Sequence, residues 1–218
     1  MKHGLPTCIW AIAILFGLGS SAGLAQTTTG GPRGALTGSH DAEVLTRALR
    51  AEPRLLIARK GQYRMRLYAH GELVKTYVIG LAQNPIGHKQ EEGDNRTPEG
   101  RYRIIQKVVG PFPGAFGAFL GPRWIRLNYP NDEDAEAGLR RGLVTKAQVA
   151  KIHAANRAGV QPPKDTKLGG GIGIHGWFGK WPGEDRQNLT WGCITLQNPD
   201  LEDLYDRVQV GTRVIILP

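Results

Sequence analysis

A mainly β fold of the α+β class is predicted by three features of this chain. Short apolar or alternating runs recur along it between Gly, Pro, Asn and Asp punctuation, the pattern of strands joined by turns. One polar helical stretch, near 132–157, separates two such strand-rich blocks. No internal repeat divides the remainder, so about 190 residues after the leader suit one domain with a sizeable core.

The leader is read from residues 1–25. Lys2 and His3 form a short basic start, 8–18 is an almost uninterrupted apolar run, and Ser20, Ser21, Ala22, Gly23 and Ala25 follow. This is the pattern of an export signal cleaved after Ala25, with Ala22 as the alternative. The apolar core is well short of the roughly 20 residues that span a bilayer, so no stable transmembrane anchor is expected. Cys8 lies too early for a lipoprotein acylation site. The mature protein is expected in the periplasm or cell envelope.

Residues 26–38 are mostly Thr, Gly and other small residues with little charge, a composition that reads as a tether. Val44, Leu45, Ala48 and Leu49 then recur on one helical face before Pro53 breaks the pattern, so 26–52 is a flexible tether and a short helix. The runs 55–58, 63–68 and 73–79, the last two joined at His70-Gly71, predict an antiparallel meander. Thr97-Pro98-Glu99-Gly100 is a turn feeding a strand over 102–109. Residues 110–122 interleave Gly and Pro with Phe112, Phe116 and Phe119, which suits either a loop folded over a cleft or one plugging the core. A strand at 124–127 precedes helices at 132–141 and from Thr145 to about Arg157, the second opened by a Thr145/Gln148 capping box and closed by Gly159. Strands at 172–175, 193–196 and 213–217, with a helix at 201–208, complete the chain.

The net charge of +9 becomes +8 without Lys2, and its cations are scattered. For an exported protein no nucleic-acid partner is expected; the wall and membrane surfaces are the anionic partners at hand, and plain solubility is the other reading. Of two cysteines only Cys193 survives removal of the leader. A lone thiol in an oxidising compartment cannot form an intramolecular disulfide and is open to oxidants, so its presence calls for a reason, and nucleophilic catalysis supplies one. It lies in Thr190-Trp191-Gly192-Cys193-Ile194-Thr195-Leu196, eighteen positions after His175 of Gly173-Ile174-His175-Gly176. A thiolate needs a nearby base, and histidine is the usual one. A buried cysteine is otherwise a small hydrophobe.

His175 ends a strand entered through Gly169-Gly170-Gly171, and Gly176 permits close approach of another backbone or a substrate. If the strands carrying His175 and Cys193 are neighbours, imidazole and thiol meet across the sheet, with peptide N–H groups near Gly192 and Cys193 facing a developing oxyanion. His40, His70, His88 and His153 read as surface or packing residues in a tether, turn, loop and helix. No His-x-His, Cys-x-x-Cys or His-Glu-x-x-His spacing completes a zinc site. Some of Trp177, Phe178, Trp181 and Trp191 are expected to line the cleft, the alternative being packing of the loop, and Trp191 is the strongest candidate.

The chain from about 53 to 218 resembles the L,D-transpeptidase catalytic domain, or YkuD domain. The resemblance rests on Ile174-His175-Gly176 and the Cys193 motif, with Thr97-Pro98-Glu99-Gly100-Arg101-Tyr102 before them and Asn198-Pro199-Asp200 and Gly211-Thr212 after. It implies a β-sandwich carrying a Cys/His cleft, with a helical insertion and a C-terminal helix, a peptidoglycan substrate, and no metal or organic cofactor. It also implies that the Gly176 carbonyl orients the second imidazole nitrogen, Asp185 being an alternative. Two positions depart from the family's usual Ser-His-Gly-Cys-hydrophobic-Arg: Thr190-Trp191 precede Gly192, and Thr195 stands at the arginine position. Threonine cannot replace a bidentate cation, so Arg126 or Arg123 is the candidate substitute for a substrate-carboxylate contact, with Trp191, Trp177 and Thr195 as further substrate-binding candidates. The Gly-Cys-Ile-Thr-Leu variant looks closer to the branch acting on links between peptidoglycan and an outer-membrane lipoprotein. The resemblance implies an acyltransferase passing a stem peptide from Cys193 to an amine; a thiol amidase or carboxypeptidase, and a wall-binding module without catalysis, are the alternatives.

Overall fold

The computed structural model describes residues 39–114, 117–178, 181 and 186–218. The expected export signal and tether, together with Phe116 and Asp185, lie outside them. Helix α1 (Ser39–Ala51) is followed by β1 (Arg54–Arg59), β2 (Arg64–Ala69), β3 (Glu72–Val78), β4 (Leu81–Ala82) and β5 (Gly100–Val109). After β6 (Arg123–Leu127) come α2 (Asp132–Arg140) and α3 (Lys146–Ala158), then β7 (Gly173–His175), β8 (Asn188–Thr190), β9 (Ile194–Thr195), α4 (Asn198–Arg207) and β10 (Arg213–Leu217). His40 thus falls in α1 rather than in the tether.

The meander forms as expected. β1 pairs antiparallel with β2, and β2 with β3. The turn between β2 and β3 places both His70 (φ 50°) and Gly71 (φ 87°) in the left-handed region, which matches the right-handed twist of a hairpin. The two helices of the insertion also begin and end where their caps dictate. Asn131 and Asp134 form a capping box on α2, Thr145 and Gln148 one on α3, and Gly159 at φ 67° closes α3.

Eight strands form one mixed sheet in the order β3-β2-β1-β10-β5-β6-β7-β9. Its first and last strands are tied together where the chain leaves β3: Gly80 and Thr195 exchange two backbone hydrogen bonds, 2.7 and 3.0 Å long. A Cβ on Gly80 would come within 2.6 Å of Thr195 Cγ2, so only glycine lets the two backbones close. The sheet therefore curls on itself, and the two layers of the expected sandwich are facing parts of one sheet. Met65, Leu67 and Tyr77 from β2 and β3 share a core with Ile125, Ile174 and Ile194 from β6, β7 and β9, and with Leu201 and Leu204 of α4. Each such side chain, fully buried, contributes roughly 1.5–3 kcal/mol. Leu45, Ala48 and Leu49 of α1 cover Leu55, Ile57, Ile215 and Leu217 on the other face.

β4 and β8 form a separate parallel pair. At two and three residues they are too short to show an alternating pattern in sequence. Among the described residues no helix is long and apolar enough to cross a membrane.

Candidate active site

The strands carrying the two candidate reactive residues are neighbours. β7 and β9 run parallel, with Ile174 opposite Ile194 and His175 opposite Thr195. Alternation sends Ile174 and Ile194 into the core and leaves His175 and Cys193 on the other face. Both line one cavity of about 540 Å³ with Trp124, Phe119, Leu120, Trp177, Leu189, Trp191, Gly192 and the 170–172 backbone.

Cys193 is partly exposed on this wall. Its Sγ sits against the glycine-rich strand lead, 3.8 Å from the Gly171 carbonyl and within reach of the Gly173 N–H. A side chain at Gly173 would strike the Trp124 ring, with a Cβ 2.8 Å from it. Thr190 braces the turn: its hydroxyl donates to the Cys193 carbonyl at 2.6 Å and accepts from the Gly192 N–H at 3.4 Å. The Gly192 amide, expected to face an oxyanion, is thus engaged by Thr190 at a long distance here. Burial pushes the Cys193 thiol up to about 11, opposed by the Gly173 N–H and the positive charges of Lys89 and Arg126.

His175 is buried, its ring stacked on Trp124 at 5.8 Å with 25° between planes. Its Nδ1 lies 2.6 Å from the Gly176 carbonyl. A carbonyl only accepts, so Nδ1 carries the proton and Nε2 is left as the basic nitrogen. Burial lowers the imidazole to about 4, opposed by hydrogen bonds to the Gly176 and Phe119 backbone. At neutral pH the two groups therefore rest as thiol and neutral imidazole.

Gly176 has the close neighbours expected of it: a Cβ there would overlap Asn198 Oδ1 and meet Pro122 Cδ at 3.1 Å and Gly121 Cα at 3.2 Å. The stretch around 117–121 folds over the cleft rather than into the core, with the Gly176 N–H donating to Leu120 O at 2.9 Å. Phe119 meets Trp177 and Phe178 edge-on, at 5.9 and 4.4 Å, which builds one aromatic wall.

Among the substrate-binding candidates, Trp191 (57% exposed) and the half-buried Trp177 line the cavity, whereas Phe178 packs behind Phe119 and Trp181 is buried away from it. Thr195 does not face the cavity. It is fully buried, and its hydroxyl donates to the Gly176 carbonyl at 2.7 Å, because pairing with both β7 and Gly80 encloses it. Arg123 turns to α4, near Glu202 at 3.3 Å and over the Tyr205 ring. Arg126 does not itself line the cavity; it shares the Trp124 face of β6, over that ring at 5.4 Å with Nε on Gln106, and acts electrostatically on Cys193.

Residues that sequence reasoning missed are Thr190, Lys89 and Asn198. Asn198 stood in a quoted motif only as a helix opener, yet its Oδ1 accepts from Trp177 N–H at 3.0 Å. His88 is a packing residue as expected, its Nδ1 accepting from the Glu99 N–H. Among the described residues no group of three or more His, Cys, Asp or Glu side chains is placed to hold a metal ion.

No match was found among curated protein sequences. Solved structures share the fold. The helical cell shape determining protein Pgp2 (K307A mutant) of Campylobacter jejuni aligns at TM-score 0.50 and 24% identity, over 77% of this chain and 48% of that one. Bdellovibrio bacteriovorus Bd1075 aligns at 0.49 and 18%, over 76% and 48%, and an L,D-transpeptidase of Mycobacterium tuberculosis H37Rv at 0.46 and 16%, over 76% and 58%. The chain thus spans about half the length of the first two. The family model for the YkuD L,D-transpeptidase catalytic domain matches residues 52–216, which include the curled sheet except the last residue of β10 and the residues lining the cavity of Cys193 and His175, and the chain belongs to that family.

Proposed function

We propose that this protein is an exported, cysteine-dependent peptidoglycan acyltransferase of the L,D-transpeptidase type, working in the periplasm or cell envelope. The observation that carries the reading is the placement in one cavity of a Nδ1-protonated His175 at the end of β7 and of Cys193 at the entrance to the neighbouring β9. Nε2 takes the thiol proton while Sγ bonds to the carbonyl carbon of the third stem-peptide residue. Arg126 and the buried Lys89 favour the negative charge on sulfur, and the backbone near Gly192 and Cys193 receives the oxyanion. The amide C–N bond then breaks, the leaving amine takes the proton from imidazolium, and a thioester remains. An acceptor amine, on a second stem peptide or on an outer-membrane lipoprotein lysine, attacks the thioester and returns the thiol. Arg126 supplies the cation for a substrate carboxylate, and Trp191 and Trp177 hold the apolar parts of the substrate.

Mass spectrometry of purified sacculus fragments incubated with the protein tests this. New cross-links that vanish with a folded Cys193→Ala variant support the reading. Release of D-residues or lipoprotein remnants without any cross-link would assign a hydrolase, with water taking the acceptor's place, and undiminished products from Cys193→Ala would remove the nucleophile.

A further inference from the structure

The Gly176 carbonyl that orients His175 is itself held. It accepts from Thr195 Oγ1 at 2.7 Å as well as from His175 Nδ1 at 2.6 Å, which uses both of its lone pairs. The N–H of the same peptide unit, that of Trp177, donates to Asn198 Oδ1 at 3.0 Å. Because a peptide is planar, fixing its C=O and its N–H fixes the direction of the carbonyl.

The two clamping side chains are themselves rigidly placed. Thr195 is fully buried, its backbone N–H and C=O both bond to Gly80, and its strand pairs with β7 on the other side. Asn198 opens α4 and packs against two glycines, a Cβ on Gly121 falling 2.6 Å from its Oδ1. Neither lines the cavity.

We infer that Thr195 and Asn198 are positioning residues for the reaction. They clamp the Gly176–Trp177 peptide from its two ends, so that its carbonyl holds His175 in the Nδ1–H tautomer and leaves Nε2 as the basic nitrogen. The hydroxyl at 195 acts on the base rather than on substrate. The inference rests on reading His175 as the base, but its structural part is measurable without turnover.

The test combines imidazole nitrogen-15 NMR with kinetics on the full mature chain, the His175 signals being identified by their absence in His175→Gln. In the parent protein His175 is expected as the Nδ1–H tautomer above its protonation range. Thr195→Val keeps the shape and removes the hydroxyl; it should introduce the Nε2–H tautomer and lower kcat by roughly 10- to 100-fold with KM little changed, the size of effect that misplacing a reacting group produces. Thr195→Ser should restore both readouts. Asn198→Ala releases the other end of the peptide and should shift the tautomer in the same direction, and it decides the matter if Thr195→Val does not fold. A folded Thr195→Val or Asn198→Ala with the parent's tautomer and kcat would overturn the inference. A tautomer shift in a protein whose Cys193→Ala variant remains active would uphold the clamp while removing the reading of His175 as the base for that thiol.

Discussion

The resting protonation state of Cys193 can be tested by alkylation. A thiol at about 11 is ionised at pH 7 to about one part in 10⁴, whereas at its ordinary 9.0 it would be ionised to about one part in 10². A thiolate of higher basicity is more nucleophilic, by about eightfold for two units, which offsets part of that hundredfold deficit. Cys193 is therefore expected to react with iodoacetamide, a small neutral electrophile, about tenfold more slowly than an exposed cysteine peptide at pH 7. Its rate should climb about tenfold per pH unit up to pH 10 with no plateau between pH 5 and 8, since the imidazole at about 4 holds no proton there to pair with a thiolate. Stopped-flow or mass-resolved alkylation across pH 5–10 measures this, with His175→Gln expected to keep the slope. A plateau below pH 8, or a rate at pH 7 equal to that of the peptide, would show a thiolate–imidazolium pair and refute the resting state derived from burial.

His175 also links stability to acid. Its folded value of about 4 lies below the ordinary 6.5, so the unfolded chain binds the proton first; stability is full above 6.5 and is lost as pH falls through 4, by about 3 kcal/mol in all. Urea unfolding at pH 7 and pH 4.5 should show part of that loss, and it should shrink in a folded His175→Gln variant. Trp191 is 57% exposed, so Trp191→Ala should cost less than about 0.5 kcal/mol while changing KM or substrate preference; a collapsed melting temperature with unchanged specificity would defeat its place in the cleft. A carbapenem, whose strained carbonyl offers the same electrophile as a stem peptide, should leave a stable mass adduct on Cys193, and peptide mapping that put the adduct elsewhere would argue for an altered pocket.

Much of the fold was legible because its signals are local. The alternation in 63–68, the His70-Gly71 turn, and the Thr145/Gln148 box with Gly159 are each decided within a few residues by backbone sterics and capping. Cys193 and His175 could be singled out in the sequence as well, by the glycines beside each, and both line one cavity.

What only the tertiary structure decided concerns contacts between residues far apart in sequence. Thr195 read as a substrate-facing position because it fills the place of an arginine, but its direction depends on Gly80, more than a hundred residues earlier, closing the sheet against it. Arg123 and Arg126, three apart on one strand, point to opposite faces by alternation, but which face meets α4 and which carries Trp124 was decided by where β6 lies in the sheet. Asn198 looked like the start of a helix, and it became a clamp only because the chain at Gly121 and Gly176 comes within hydrogen-bonding reach of its side chain. Side-chain chemistry and local backbone preference are written residue by residue; the partner that each group meets is set by where the sheet closes.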